Sequence, residues 1–234
     1  LLEVIKGAHN TTQNHLIEIQ LKENSSMNHG FLSLGQEEEA KLLSTISVEQ
    51  NPHSNYSLTS LQQGWSFSRF EPKIFQTKGK AKTTIKGLQV ASQNEQIATH
   101  SFVRFGGPKG QLNQLNKTIC NDSAHSIFNG VIHVPQKAQQ TEASQLSRNL
   151  LLSKKARIDT KPELEIVADD VTCTHGATVS QLQEEELFYL RSRGINNKVA
   201  NALLLKGFYD EIINSLPLDA IRWEFINQMM KVVK

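Results

Sequence analysis

The sequence predicts a mainly β protein that ends in a short helical region. From residue 1 to about Val179, short apolar runs alternate with turns rich in Gly, Asn, Pro, Ser and Lys. Ile17, Ile19 and Leu21 keep the period of two that is typical of a half-buried strand. No stretch before Val179 holds an i, i+3, i+4, i+7 pattern for three turns, whereas the residues after it do.

The strand-like runs leave two β architectures open. Their cores lie near residues 85–90, 97–105, 127–134, 150–158 and 164–179, at irregular intervals. A β-sandwich also consists of short strands separated by turns. The scarcity of tight two-residue hairpin turns and the aromatic content of only 6% favour a narrow stack of coils. Periodicity by itself does not decide between them.

The C-terminal part reads as three helices, so we divide the chain into a β core at 1–179 and a helical region at 180–234. The first helix is predicted at 180–194, because acids begin it, arginines end it and Gly194 stops it. The second spans about 197–215 and ends before Pro217. Its predicted apolar stripe contains Val199, Leu203, Leu204, Phe208, Ile212, Ile213 and Leu216. The third, at 219–234, places Ile221, Phe225, Met229 and Val232 or Val233 on one face.

Composition and motifs exclude several functions. A formal net charge of +2 gives no strong attraction to nucleic acid or to an anionic membrane. The glycine-rich residues 104–110 lack the spacing of a phosphate-binding loop and are predicted to form a surface turn. Cys120 and Cys173 form no Cys-x-x-Cys motif, which favours a reducing compartment, and strand burial is predicted for Cys120. The start at Leu1 without Met suggests a fragment.

Residues 168–179 hold the densest group of metal-capable side chains. In an extended segment Asp169, Cys173 and His175 share one face with Val171, and Asp170 lies on the other. Cys173 and His175 are then roughly 6.6 to 6.8 Å apart along the strand. Two ligands do not fill a tetrahedral site, so a second chain or a distant loop must complete it. The simpler interpretation is a buried, inert Cys-x-His pair, since free Cys is often buried.

A family resemblance favours the interpretation that Cys173 and His175 are metal ligands over the interpretation that they are inert. The run PELEIVADDVTCTHGATV at 162–179, followed by LFYLRSRGI at 187–195, resembles the signature of the SufB/SufD family. Its Cys-x-His-Gly is closer to the SufD branch. Upstream, FNG at 128–130, AQQTEA at 138–143 and NLLLS at 149–153 resemble the family in the same order. Members are scaffold subunits of the SUF machinery, which assembles iron–sulfur clusters.

The resemblance implies a right-handed parallel β-helix, with an N-terminal helical part of the family missing here. It implies pairing with a SufB-like scaffold and with the ATPase SufC, although a homodimer of the isolated chain is also compatible. His175 and Cys173 would be ligands to a transient iron–sulfur cluster shared with the partner. The ATPase would dock on the helical region, at Phe188, Tyr189, Arg191 and Arg193.

The resemblance also implies a scaffold without catalysis of its own and without a bound nucleotide. The expected location is the cytoplasm, or the plastid stroma in a plant or alga. The alternative is a carbohydrate-active or acyl-transferring β-helix enzyme, for which Glu165, Asp169 and Asp170 are the only local acids. A helix-turn-helix DNA binder is disfavoured, since the C-terminal charges are mixed and present no basic face.

Overall fold

A computed structural model describes residues 1–35 and 39–217 and shows thirteen strands followed by two helices. The strands are β1 (Leu2–Gly7), β2 (Thr12–Leu21), β3 (Ser26–Gly35), β4 (Lys41–Gln50), β5 (Asn55–Gln63), β6 (Phe67–Gln76), β7 (Lys82–Ala91), β8 (Gln96–Phe105), β9 (Gln111–Cys120), β10 (His125–Val134), β11 (Thr141–Leu151), β12 (Arg157–Ile166) and β13 (Val171–Gln181). The helices are α1 (Glu184–Ser192) and α2 (Asn197–Ile213). The predicted helix at 219–234 lies outside the described residues.

The strands wind into a parallel β-solenoid of about six turns, which confirms the predicted fold class. Odd-numbered strands form one seven-stranded sheet in the order β1-β3-β5-β7-β9-β11-β13, here called sheet A. Even-numbered strands form sheet B, in the order β12-β10-β8-β6-β4-β2. Neighbouring strands of each sheet come from successive coils and run parallel, for example Lys82 beside Gln111 and Gln96 beside His125. Stacked coils, rather than a sandwich of hairpins, therefore build the core.

Residues with positive φ turn the chain at both corners of the solenoid, except in the last turn of each corner, at 152–156 and 167–170. Between sheet B and sheet A they are Asn24, His53, Lys80, Lys109 and Gln140. The opposite corner uses Asn10, Glu39, Gly64, Gln93 and Asp122. At Gly64 a glycine is required, because a Cβ atom there would lie 2.0 Å from the carbonyl oxygen of Gly35 in the coil before.

The interior of the solenoid is part aliphatic and part amide. The main buried cluster stacks Phe31 on Phe70, with ring centroids 4.7 Å apart, and continues through aliphatic residues of both sheets. In the last coils, polar side chains replace aliphatic ones in the row of inward-facing positions that runs across sheet A. The Gln145 amide donates to Gln114 Oε1 (2.9 Å), and the Gln114 amide donates to Ser101 Oγ (2.7 Å). A row of hydrogen-bonded side chains thus links successive coils inside the solenoid.

Helix α2 packs on the outer face of sheet A. Its buried side chains are Ala200, Leu205, Tyr209, Ile212 and Ile213. The last four, with Leu216, form one cluster with outward-facing leucines of sheet A such as Leu61 and Leu88. The predicted stripe was therefore wrong in phase at its start, because Val199 and Leu203 are exposed. Neither described helix combines the length and apolar character needed to cross a bilayer.

Candidate functional site

Cys173 and His175 lie on the terminal strand of sheet A. Strand β13 pairs with β11, and within residues 1–35 and 39–217 no strand pairs with its other edge. Cys173 is aligned with Ala143, and His175 with Gln145. Both of these β11 residues are buried and belong to the inward-facing row. The thiol and the imidazole therefore continue that row on one face of the strand, at the end of the solenoid where no further coil of the described chain follows.

The two side chains differ in their surroundings. Cys173 is half-buried and packs against the main core cluster. Burial raises the pKa of its thiol, although a hydrogen bond with the backbone of Ala143 acts in the opposite direction. His175 is exposed. At neutral pH the thiol stays protonated until a metal or a base removes its proton, while the imidazole is open to a ligand from outside.

The nearby acids are not part of this row. Asp169 and Asp170 lie in the turn before β13, so the strand alternation expected for them does not apply. Asp169 Oδ2 accepts from the Gln136 amide (3.0 Å), and Glu165 pairs with His133 Nδ1 (3.1 Å). These acids thus have separate partners. Among the described residues, no three His, Cys, Asp or Glu side chains are grouped so that they could hold a metal ion.

The residues predicted to contact a partner ATPase lie on or next to α1. Phe188 and Tyr189 are 72% and 58% exposed, and no residue of this helix is buried. Arg191 lies in its last turn, and Arg193 follows the helix with its guanidinium 5.4 Å from the centre of the Tyr189 ring. Exposed aromatic and arginine side chains are the types enriched at protein interfaces.

A second group, at the opposite end of the solenoid, was not predicted. His29 is buried on β3, its Nδ1 is 2.8 Å from the hydroxyl of Tyr56, and its Nε2 is 3.5 Å from Glu3 Oε2. His15 Nε2 lies 3.8 Å from the same carboxylate oxygen. Burial lowers the pKa of His29 and raises that of Tyr56. No local motif links these four positions, because only the stacking of the first coils brings them together.

The fold and the donor pair define a class of protein: a parallel β-solenoid that presents a thiol and an imidazole at its open terminal coil. Residues 1–208 match the family model described as "SUF system FeS cluster assembly, SufBD core domain". The chain belongs to this SufB/SufD family and is SufD-like within it.

Curated relatives agree with this assignment. The chain is 40% identical over 209 residues to an iron–sulfur cluster assembly SufBD family protein of Synechocystis sp., covering 89% of this chain and 46% of that protein. It is 33% identical over 210 residues to the protein ABCI7, chloroplastic, of Arabidopsis thaliana, covering 89% of this chain and 44% of that protein. The iron–sulfur cluster assembly protein SufD of Escherichia coli is 39% identical over 142 residues, which cover 61% of this chain and 34% of that protein. The chain therefore spans less than half the length of these relatives.

Proposed function

We propose that this chain is a scaffold subunit of the SUF machinery that pairs with a SufB-like scaffold and contributes His175 and Cys173 to a nascent iron–sulfur cluster at their junction. One observation carries the proposal. The two donors occupy consecutive inward positions of β13, whose outer edge has no partner strand among the described residues. A strand added there would bring its own side chains beside the two donors.

The two open edges differ in their capacity to pair with such a strand. At the start of β12 Arg157 N donates to Ala124 O, and directly after its end Val167 N donates to Val134 O. The odd-numbered N–H groups of the strand therefore point back toward the preceding coil. Even-numbered positions of β12 then face the open edge, and Pro162, which is one of them, has no N–H to offer. Strand β13 contains no proline. We infer that a partner strand pairs mainly with sheet A, beside the donors.

The chemistry of the pair suits a shared cluster. Thiolate and imidazole are both iron ligands, and a histidine in place of a cysteine changes the charge and the reduction potential of a cluster. A half-buried thiol with a raised pKa resists ionisation until iron is delivered. The cluster is cargo that is built and passed on. Two donors from this chain leave the remaining positions to the partner, so assembly depends on the pair of scaffolds.

The exposed face of α1 supports docking of a SufC-like ATPase. Phe188 and Tyr189 project from a helix that buries none of its own residues, beside Arg193. Because α2 is anchored on sheet A, force applied to these helices would reach the solenoid. In this proposal the chain binds no nucleotide, catalyses no step itself, and works in the cytoplasm or the plastid stroma.

Co-expression with a SufB-like and a SufC-like partner, followed by anaerobic purification, tests the cluster site. We expect His175→Ala to abolish cluster absorbance while the complex still elutes as one species, and Cys173→Ala to lower it. The exposed His53 of a distant turn provides the control. We choose His53→Asn, because Asn tolerates the positive φ of this position, and expect it to leave cluster content unchanged. Normal cluster content in the His175→Ala complex would contradict the assignment.

A separate pair of variants tests the docking helix. We expect Phe188→Ser combined with Tyr189→Ser to release the ATPase and to leave the two scaffolds paired. Leu16 is 64% exposed on β2, so Leu16→Ser removes comparable apolar surface from another face and should retain the ATPase. Equal retention of the ATPase by both proteins in a pull-down would place its docking surface elsewhere.

A further inference from the structure

A row of exposed lysines follows one corner of the solenoid. Three consecutive turns join sheet B to sheet A at residues 77–81, 106–110 and 135–140. They carry the exposed side chains Lys78, Lys80, Lys109 and Lys137, which we call the lysine ridge. The glycine-rich turn of the sequence is the middle of the three.

The backbone beneath the ridge is rigid. Lys80 N donates to Pro108 O, and Lys109 N donates to Gln139 O, each at 2.9 Å, so hydrogen bonds join all three turns. A Cβ atom on Gly79 would lie 2.1 Å from Pro108 O, which shows how closely the first two turns are packed. Lys80 and Lys109 both have positive φ, so neighbouring coils present them in the same way. Binding of a ligand therefore costs little conformational entropy of the backbone, because the turns are already ordered.

The charges of the ridge are not neutralised within the described part of the chain. None of the four lysines forms an ion pair there, whereas lysines elsewhere, such as Lys73, Lys117 and Lys161, do. The turns that carry them contain no acid. At this corner the nearest acids are Asp169 and Asp170 in the turn after the ridge and Glu23 two turns before it. Stacked coils lie about 4.8 Å apart, so the positive charge follows a line parallel to the solenoid axis.

We propose that the lysine ridge is a docking surface for an acidic helical segment of a partner protein. A helix lying along the ridge advances 5.4 Å per turn, so carboxylates at i, i+3 or i+4, and i+7 meet successive coils with a mismatch of only about 1 Å over three coils. Flexible lysine side chains absorb that difference. The ridge and β13 use different surfaces, so this docking does not depend on the cluster site.

The chemistry of the ridge favours carboxylates over phosphates. It contains no arginine, which binds phosphate in a bidentate manner, and no aromatic side chain on which a base could stack. The N–H groups of Lys80 and Lys109 are bonded to the next coil, so the turns offer no free backbone cradle for a phosphate at those positions. Separate lysine charges match separate carboxylates on a protein surface.

A fluorescent helical peptide of about 20 residues with glutamates on one face is the direct probe, measured by anisotropy at low salt. The test protein carries Lys78→Gln, Lys80→Asn, Lys109→Asn and Lys137→Gln, with Asn chosen because it tolerates positive φ. The control protein carries the same loss of charge at four other exposed lysines that form no ion pair with any described residue: Lys6, Lys41, Lys154 and Lys155. Both proteins must first show the circular dichroism and melting behaviour of the parent.

We expect the ridge variant to bind the peptide at least about tenfold more weakly than the parent, and the control variant to match the parent. The same peptide with its glutamates spread around the helix should bind weakly to all three proteins. Equal losses in the ridge and control variants would overturn the proposal. So would tighter binding of a single-stranded DNA of the same charge, because that outcome would assign the ridge to nucleic acid.

Discussion

The ion pair between Lys117 and Glu211 anchors α2 to the solenoid, and neutralising Glu211 tests how much that anchor contributes. Lys117 rises from the outer face of β9, and its side chain is only 5% exposed. Its ammonium donates to Glu211 Oε2 (3.0 Å) and to Phe208 O (2.8 Å), and lies 5.4 Å from the centre of the Phe208 ring. The change Glu211→Gln keeps the shape and one acceptor but leaves a buried ammonium without its counter-charge.

The expected cost is about 1–2 kcal/mol. Breaking a fully buried ion pair costs about 3–5 kcal/mol. The carboxylate side of this pair is 51% exposed, so solvent screens it and lowers the loss. A cost of this size raises the population of undocked α2 by a factor of about 5 to 30. The exposed pair of Lys206 with Asp210 on the same helix provides the control, and Asp210→Asn should cost less than about 0.5 kcal/mol.

Hydrogen exchange of the α2 amides measures undocking directly. The hydrogen bond from Lys117 holds the pKa of Glu211 below its usual range. This contribution is therefore present above the unfolded-state pKa and is lost as the pH falls through the lowered folded-state pKa. The parent should approach the exchange rates of Glu211→Gln in acid. Equal protection of α2 in the parent and in Glu211→Gln at neutral pH would refute the reasoning. The hydrogen bond to Phe208 O would then be enough to stabilise the buried ammonium.

Further predictions concern the core and the corners. Burial raises the pKa of Glu95 to about 7, so the parent should lose up to about 3 kcal/mol of unfolding free energy relative to Glu95→Gln as the pH rises from 4.5 through 7, measured by urea titration. Gly64→Ala should cost more than about 2 kcal/mol, because φ is +73° and the new Cβ would clash with the preceding coil. In α2, Gly207→Ala adds a methyl group in open space and should stabilise by about 0.5–1 kcal/mol, visible as a higher melting temperature. Cys120 is fully buried with a pKa raised to about 11, so iodoacetamide at pH 8 should alkylate Cys173 first, as peptide mass spectrometry would show.

The local sequence pattern was sufficient to locate a strand where apolar residues recur along it and turn residues bound it. The period of two at Ile17, Ile19 and Leu21 marked part of β2, and short apolar runs near 85–90 and 97–105 lie inside β7 and β8. The pattern was insufficient at 150–158 and 164–179, where apolar residues continue through the turns and two strands were joined into one run. For the same reason Asp169 and Asp170 were expected in a strand and lie in a turn.

The buried side of α2 could not be predicted from the sequence pattern alone either. Several apolar residues line α2, and a stripe that included Val199 and Leu203 fitted the sequence as well as the observed one. Sheet A decides which side is buried, because its outward leucines contact Leu205 and Tyr209. A residue spacing specifies possible faces of a helix, but the surface against which the helix packs selects one.

The amino-acid sequence alone determined the β class, the first two of the predicted C-terminal helices, the adjacency of Cys173 and His175 and, through its motifs, the family. These depend on neighbours in the chain. Tertiary structure decided the rest: that β13 is the end strand of sheet A among the described residues, that Glu3 and His29 meet at the other end, and that lysines from separate turns form one ridge. Each of these depends on coil register, which joins residues about 30 positions apart and leaves no local trace in the sequence.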